Sequence, residues 1–352
     1  MAVTQKDVAD KAGVTRSVVS KVMHGGADTI RVNEETAERV ARIAREMGYQ
    51  PSAVARNFRL QKTGQIGLLH GDGFSIFKFD GGSLYFASLT DGIVIGAFKH
   101  KYTLGLCPDL FGPSPENAMA DGRFDGFIWY STRPSQRNED RLKQCQAPLV
   151  LLHTRAAAFD SRFPTVICDN DQGIRLALEH LAELGHRRIS FAYDGYDTFT
   201  ESTIRCDAFL RHCSRLGLFP ALVDITLGPD GVRGDNVGTQ AYFERGPMET
   251  AMIGDNEDHA VRAMRVAKAA GLTVPEDFSV IGFDSTSFCD YQNPPLTAIY
   301  QPLPAMGELA VDLLVDLIDG KQPESIESML PCRLDVRGST APPRTRPLSA
   351  RS

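Results

Sequence analysis

Carboxylates, amides and arginines recur at the ends of apolar runs in this chain. The pattern suits holding a hydroxyl-rich ligand better than breaking bonds. Asp72 follows "QIGLLH", Arg155 follows "PLVLLH", and Asp169 and Asn170 follow "TVIC". Asp255, Asn256 and Glu257 follow "TAMIG", Asp284 and Ser285 follow "FSVIGF", and Arg205 opens the helical pattern beyond "RISFAY". Such groups make paired hydrogen bonds to hydroxyls, strengthened where one partner is charged. Asp and Asn at strand ends also cap the helices that follow, and that reading competes for Asp169 and Asp255. Arg205 and Asp284 are harder to explain as caps. Signatures of bond-breaking chemistry do not occur: there is no GxSxG, HExxH or Walker loop. "GDGF" at 71–74 reads as a turn, the histidines are dispersed, and His153 with Asp169 is a poor acid/base pair. The expectation is no catalytic residue, no metal site and no cofactor.

A second polar set lies near the start, in "GVTRSVVSKVMHG" (13–25). At about 100° per residue, Arg16, Ser17, Ser20, Lys21 and His24 fall in one sector, and Val18, Val19, Val22 and Met23 in the opposite one. This is an amphipathic helix despite its valines. Its polar sector is either a solvated face or one shaped to enter a DNA groove.

The neighbouring elements decide between those two. "TQKDVADKA" reads as a helix capped by Thr4 with Asp7 and ended by Gly13. Asn33 caps a third helix that runs to Gly48, with Ala37, Val40, Ala41, Ala44 and Met47 as its expected buried stripe. Two short helices joined at a glycine and backed by a third make a helix-turn-helix, which favours the DNA reading. "YQPSAVARNFRLQKTGQ" then reads as a basic linker with one or two marginal helical turns. From Gln65 onward apolar strands alternate with amphipathic helices. The strands fall at 65–70, 102–107, 125–130, 148–153, 165–168, 188–193, 221–227, 250–254 and 278–283. That pattern predicts parallel sheets covered on both faces, and some nine strands predict two sheets and two lobes. Ligands bind such sheets beyond the carboxyl ends of the strands. The tail after about Thr340 is Pro-rich and basic and reads as disordered.

Composition agrees. A chain of 352 residues with 42% hydrophobic content can fill at least two cores. Residues 1–62 hold 11 basic and 7 acidic side chains, and the remainder holds 27 and 37. A basic head on an acidic body fits a head that meets a polyanion while the body is repelled from it. Seven cysteines without CxxC spacing read as reduced thiols. The start lacks the pattern of a signal peptide, and no run of 18 apolar residues occurs. The expected location is cytoplasmic, with no membrane contact.

These motifs resemble the lactose-repressor (LacI/GalR) family of bacterial transcription regulators. "KDVADKAGVTRSVVSKVMHG" resembles its helix-turn-helix, and "PSAVARNF" its hinge helix. "TVICDNDQGIRLALEHLAELGHRRISF", "VPEDFSVIGFDS" and "NPPLTAIYQPLPAMGELAVDLLVDLIDG" resemble its effector-domain signatures. The resemblance spans residues 3 to about 342. It implies an all-α helix-turn-helix domain at 1–48, a hinge at 49–62, an α/β periplasmic-binding-protein-like domain of two parallel-sheet lobes at 63–340, and a tail at 341–352. It further implies a non-enzymatic repressor on a palindromic operator, acting as a homodimer or a pair of dimers. A small-molecule effector, a sugar or sugar derivative, would bind between the lobes. Thr15, Arg16, Ser17, Ser20, Lys21 and His24 then meet DNA from the reader helix, and Ala55, Phe58 and Arg59 from the hinge. Asp72, Arg155, Asp169, Arg205, Asn256, Glu257 and Asp284 meet the effector. Departures are visible: Val18 stands where Thr is usual, Phe58 where Leu is usual, Ala208 where the pattern after Arg205 has Gly, and "FSIFKFDGG" (74–82) is an insertion. The alternatives are a cytoplasmic sugar-binding protein, a purine-type corepressor-dependent regulator and a cleft hydrolase.

Overall fold

The computed structural model describes residues 3–24, 31–50, 62–70, 84–107, 122–130, 145–155, 162–195 and 201–344. The chain divides into two compact units, Met1–Gly64 and Gln65–Ser352.

The first unit is three helices, α1 (Gln5–Ala12), α2 (Arg16–His24) and α3 (Glu34–Glu46). Thr4 and Asp7 close a capping box on α1: Thr4 Oγ1 accepts from the Asp7 amide at 3.3 Å, and the Thr4 amide donates to Asp7 at 2.8 Å. Gly13 ends α1 at φ +63°, a conformation that disfavours side chains. Asn33 Oδ1 caps α3 by accepting from the Thr36 amide at 2.9 Å. Val8, Ala12, Val19, Val40 and Ala44 form the core with Ile43, and Val18, Val22 and Met23 pack at its edge. The valine sector of α2 thus faces inward as expected. The α3 stripe is corrected: it buries Val40, Ile43 and Ala44, whereas Ala37 and Ala41 are only half-buried. The i, i+3, i+4 spacing of 40, 43 and 44 centres the buried stripe on these three residues and leaves Ala37 and Ala41 at its margins.

The second unit holds two six-stranded sheets. Its strands are β1 (Gln65–His70), β2 (Thr103–Cys107), β3 (Gly126–Tyr130), β4 (Leu149–Leu152), β5 (Thr165–Cys168), β6 (Arg188–Tyr193), β7 (Phe219–Asp224), β8 (Ala251–Gly254), β9 (Ser279–Asp284), β10 (Thr297–Tyr300), β11 (Glu327–Leu330) and β12 (Arg333–Asp335). Its helices are α4 (Leu84–Lys99), α5 (Asn170–Glu183), α6 (Glu201–Leu216), α7 (Val237–Glu244), α8 (Glu257–Ala269) and α9 (Leu303–Ile318). The first sheet runs β11-β5-β4-β3-β1-β2 and is parallel throughout. The second runs β12-β10-β9-β8-β6-β7, with only β12 antiparallel. The chain passes between sheets three times: after β5 at Asp169, between β10 and α9 at Gln301–Pro302, and between β11 and β12 at Pro331–Cys332. Every residue of β3, β4, β5, β8 and β9 is buried, as apolar runs covered by helices require.

Helix α9 lies against α4 at backbone contact distance. A Cβ on Gly92 would stand 2.0 Å from the Pro304 carbonyl oxygen, and one on Gly307 2.5 Å from that of Leu89. Gly92→Ala is therefore expected to destabilise the second unit by about 1–3 kcal/mol or more, since backbone must move. Urea unfolding of the variant measures it, and an unchanged midpoint would show that the helices separate freely.

Three expectations change. β10, β11 and β12 were not anticipated, because each is short and β11 and β12 are half-exposed. β7 lies at 219–224 rather than 221–227, because Asp224 turns the chain by accepting from the Thr226 amide and hydroxyl at 3.0 and 2.8 Å. The tail does not begin at 341. Ala341 bonds Ser279 and His186, and Arg344 pairs with Asp277 at 3.4 Å, so 341–344 dock on the second lobe. Residues 345–352 lie outside the described residues. Among the described residues no helix is long and apolar enough to cross a membrane.

Candidate functional site

Arg205 is the centre of the second unit's polar interior. It projects from the second turn of α6, and its side chain is buried. Nε donates to Asn170 Oδ1 at 2.8 Å, and Nη1 donates to the Asp255 carbonyl. Asp284 and Glu201 carboxylate oxygens stand 3.8 Å from Nη1 and Nη2, and the Phe283 ring lies under the guanidinium with its centroid 3.7 Å from Cζ. The Asn170 amide donates to Glu201. Gln301 Nε2 donates to Asp284 at 2.6 Å, while Gln301 Oε1 is buried without a partner among the described residues. Asn170 and Gln301 both sit where the chain passes between sheets, so this network is built on the crossovers.

The first sheet contributes an aromatic group. Tyr130 ends β3, His153 follows β4, and Tyr85 lies in the first turn of α4. Tyr85 and His153 share a hydrogen bond of 2.7 Å to Nε2, and the Tyr130 and His153 rings meet edge-on with centroids 5.7 Å apart. Burial, with Arg205 nearby, pushes His153 down to about 3 and so keeps it neutral. Burial raises Tyr85 well above the usual phenol range, and the charges of Asp284 and Arg205 both act on it. The aromatic group and the Arg205 network are therefore neighbours across the two sheets.

The carboxylates divide by environment. Burial raises Glu201 against the pull of Arg205. Burial also raises Asp284, to about 7, again against Arg205 and with Glu257 adding to the rise. Burial would raise Asp255 too, but hydrogen bonds from His259 and Ser202 and the charge of Arg205 hold it below the usual range. Asp284 and Ser285 adopt φ of +95° and +47°, and His153 adopts +60°. Non-glycine residues persist there only when surroundings hold them. Asp335 and Arg337 bond the Ser285 hydroxyl at 2.8 and 3.0 Å and provide that hold.

Asp284 gives the fold a signed pH dependence. A carboxyl raised on folding contributes stability present below its unfolded pKa and lost as pH rises to about 7. Asp284→Asn lacks this loss. The variant is expected to gain on the native chain by up to about 4 kcal/mol between pH 4 and 7. The opposite dependence of neutral His153 is common to both chains and cancels. Urea unfolding at three pH values measures the difference, and a flat difference would mean that Asp284 ionises without penalty.

The anticipated residues separate into two groups. Arg205 and Asp284 converge, and Arg155 is close enough for its charge to act on Glu201. Asp169 and Asn256 do not turn to this centre. Asp169 caps α5 by accepting from the Gln172 amide at 2.9 Å, and Asn256 caps α8 by accepting from the His259 amide at 2.8 Å. Glu257 is buried with both oxygens on the Thr286 hydroxyl and one also on its amide, tying α8 to the turn after β9. Asp72 lies outside the described residues. Asn170 was visible as a strand-end residue without an assigned role, and Asp255, open between cap and ligand group, is not the cap: its carboxylate is held by Ser202 and His259 and its carbonyl accepts from Arg205. Glu201, Gln301 and Tyr85 carried no local signal.

In the first unit, Arg16 and Ser17 are exposed and Lys21 and Ser20 half-buried, all on the side of α2 away from the valines. Thr15 caps α2, with Oγ1 accepting from the Val18 amide at 3.4 Å. Val18, the residue in place of the usual Thr, packs at the core edge. The His24 side chain, Ala55, Phe58 and Arg59 lie outside the described residues.

Residues 4–52 match the family described as bacterial regulatory proteins, lacI family, and residues 178–340 match a periplasmic binding protein-like domain. An HTH-type transcriptional repressor PurR of Aliivibrio salmonicida is 31% identical over 91% of this chain and 94% of its own length. Catabolite control protein A of Priestia megaterium is 28% identical over 97% of this chain and 100% of its own. Among solved structures, a lac repressor dimer bound to operator and the anti-inducer ONPF shares the fold, with a TM-score of 0.77 at 24% identity over 97% of this chain and all of that one. A LacI family regulator of Enterococcus faecium with bound ribose aligns with a TM-score of 0.64 at 26% identity, over 80% of this chain and all of that one. A CelR–cellobiose complex aligns with a TM-score of 0.67 at 25% identity, over 96% and 99%. A helix-turn-helix unit followed by a two-sheet effector-binding unit, in a chain matched along nearly its whole length by such repressors, belongs to the lacI family of bacterial DNA-binding transcriptional repressors.

Proposed function

We propose that this repressor acts as a homodimer on a two-fold symmetric operator and is controlled by a sugar or sugar derivative bound between its two sheets. The observation that carries the effector reading is the convergence of Arg205, Asp284, Glu201 and Gln301 beside Tyr85, Tyr130 and His153. Charged and amide groups opposite aromatic rings suit a ring that bears hydroxyls. Solved relatives holding ribose and cellobiose support the same chemistry. On the DNA side, Arg16, Ser17, Ser20 and Lys21 read base edges in the major groove, with Thr15 and His24 at the ends of the reader helix. Residues 49–62 serve as the hinge, where Phe58 is the wedge. Effector binding changes the angle between the sheets and biases that hinge, a bistable element. A coupling of about 1–3 kcal/mol suffices for 5–150-fold control. Footprinting of the full chain on its operator tests this: two symmetric half-sites about one helical turn apart are expected. A single half-site protected by a monomer would refute the dimer.

A further inference from the structure

Two of the three crossovers between the sheets run side by side. The Asp169 amide donates to the Leu330 carbonyl at 2.8 Å, and Gln172 Oε1 accepts from the Cys332 amide at 2.7 Å. Each of these crossovers carries a cysteine at its passing point. Cys168 ends β5 opposite Leu330, and Cys332 stands just beyond Leu330 in the chain. Both thiols are free and buried in one core cluster, and they share a hydrogen bond. Cys168 Sγ also donates to Asn170 Oδ1 at 3.5 Å. The remaining crossover, at Gln301–Pro302, has no cysteine.

The two thiols differ in surroundings. The bond with Cys332, burial and the charge of Glu201 hold the Cys168 thiol well above its usual range. Cys168 is fully covered, whereas Cys332 is 6% exposed. A protonated, covered thiol is a poor nucleophile, so an oxidant meets Cys332 first. Hydrogen peroxide is small and uncharged and suits so narrow an approach. The Cys332 sulfur attacks one peroxide oxygen, the O–O bond breaks, and a sulfenic acid and water form. The Cys168 sulfur then attacks the sulfenic sulfur. The S–S bond forms, the S–O bond breaks, and the hydroxyl leaves as water with the Cys168 proton. Two thiols and one peroxide thus give one disulfide and two waters.

We propose that Cys168 and Cys332 are a peroxide-sensitive dithiol whose disulfide staples two crossovers together and fixes the angle between the sheets. Its effect on control rests on the function proposed above, in which that angle biases the hinge, whereas formation of the disulfide does not.

The test treats the full chain with hydrogen peroxide, alkylates it and digests it without reduction. Mass spectrometry is expected to find a peptide pair joined through Cys168 and Cys332, released by dithiothreitol. In Cys168→Ser the reaction should stop at a sulfenic acid on Cys332 that dimedone traps, and Cys332→Ser should give neither product. Hydrogen exchange at the Asp169 and Cys332 amides should slow by about tenfold or more in the oxidised chain, since local opening there is restrained. Operator affinity, measured without effector, should differ between oxidised and reduced chains by about fivefold or more, the low end of ordinary coupling, and peroxide should not change it in Cys332→Ser. No reaction, sulfinic acid at Cys332 of the native chain, or bonds to other cysteines would overturn the pairing. A disulfide with unchanged exchange overturns the staple. A disulfide that slows exchange but leaves operator affinity unchanged overturns its role in control and leaves the effector cleft standing.

Discussion

Arg205→Ala is expected to lower the unfolding free energy of the second unit by about 3–5 kcal/mol, because it strips the only cation within 4 Å from two buried carboxylates, as seen among the described residues. The loss is larger than that of one hydrogen bond, since Asn170, Asp255, Glu201, Asp284 and Phe283 all lose a partner. It also carries a pH signature. Without Arg205 the folded-state pKa of Glu201 and Asp284 rises further, so stability is lost as pH climbs through the new values. The deficit should therefore widen between pH 5 and 8. Arg205→Lys keeps charge but not the flat contact with Phe283 or the forked donors, and should fall between the two. Effector response should vanish in the alanine variant, while the fraction that remains folded still binds operator. A deficit below about 1 kcal/mol, or one that does not change with pH, would remove Arg205 from the centre of this site.

The second large effect belongs to the reader helix. Replacing Arg16 and Lys21 together by Ala should weaken operator binding by about 2–6 kcal/mol, since a good base contact is worth roughly 1–3 kcal/mol. The slope of binding against salt should fall by about 2 if both side chains neutralise phosphate, and by less if they read bases. Stability of the first unit should stay within about 0.5 kcal/mol, because neither side chain belongs to the core of Val8, Val19, Val40 and Ile43. Titration of labelled operator at several salt concentrations, beside thermal unfolding of the same variant, gives both numbers. Unchanged affinity would show that the polar face of α2 is solvated rather than inserted. Val18→Thr is a useful companion, since that residue sits at the edge of the same face.

Much of the architecture was local and therefore legible. Thr4 with Asp7, Gly13 and Asn33 marked the helix ends by short-range hydrogen bonds and backbone preference, and each does that work in the structure. The valines of α2 misled by propensity alone, but their 3.6-residue spacing identified the buried side. Fully buried strands such as β3, β5 and β9 announced themselves as apolar runs. β11 and β12 did not, because a half-exposed edge strand alternates weakly and is short. Helix α4 falls in the interval between strands where the alternation requires a helix, but it is apolar nearly all round rather than amphipathic, with Gly92 and Gly96 pressed against α9.

The amino-acid sequence by itself determined that polar groups stand at the carboxyl ends of parallel strands, that Arg205 and Asp284 are harder to explain as caps than their neighbours, and that a basic amphipathic helix precedes the α/β unit. Only the tertiary structure decided which strand-end residues meet. Asp169 and Asn256 have the same residue types and positions as ligand-binding groups, yet the amide three residues ahead captures each side chain. Asn170, Glu201, Asp284 and Gln301 lie up to 131 positions apart. They come together because the chain crosses between sheets beside Arg205, a long-range pairing that no local periodicity records. The same crossing brings Tyr85 and His153 to them, and it gathers scattered polar residues around one buried cation.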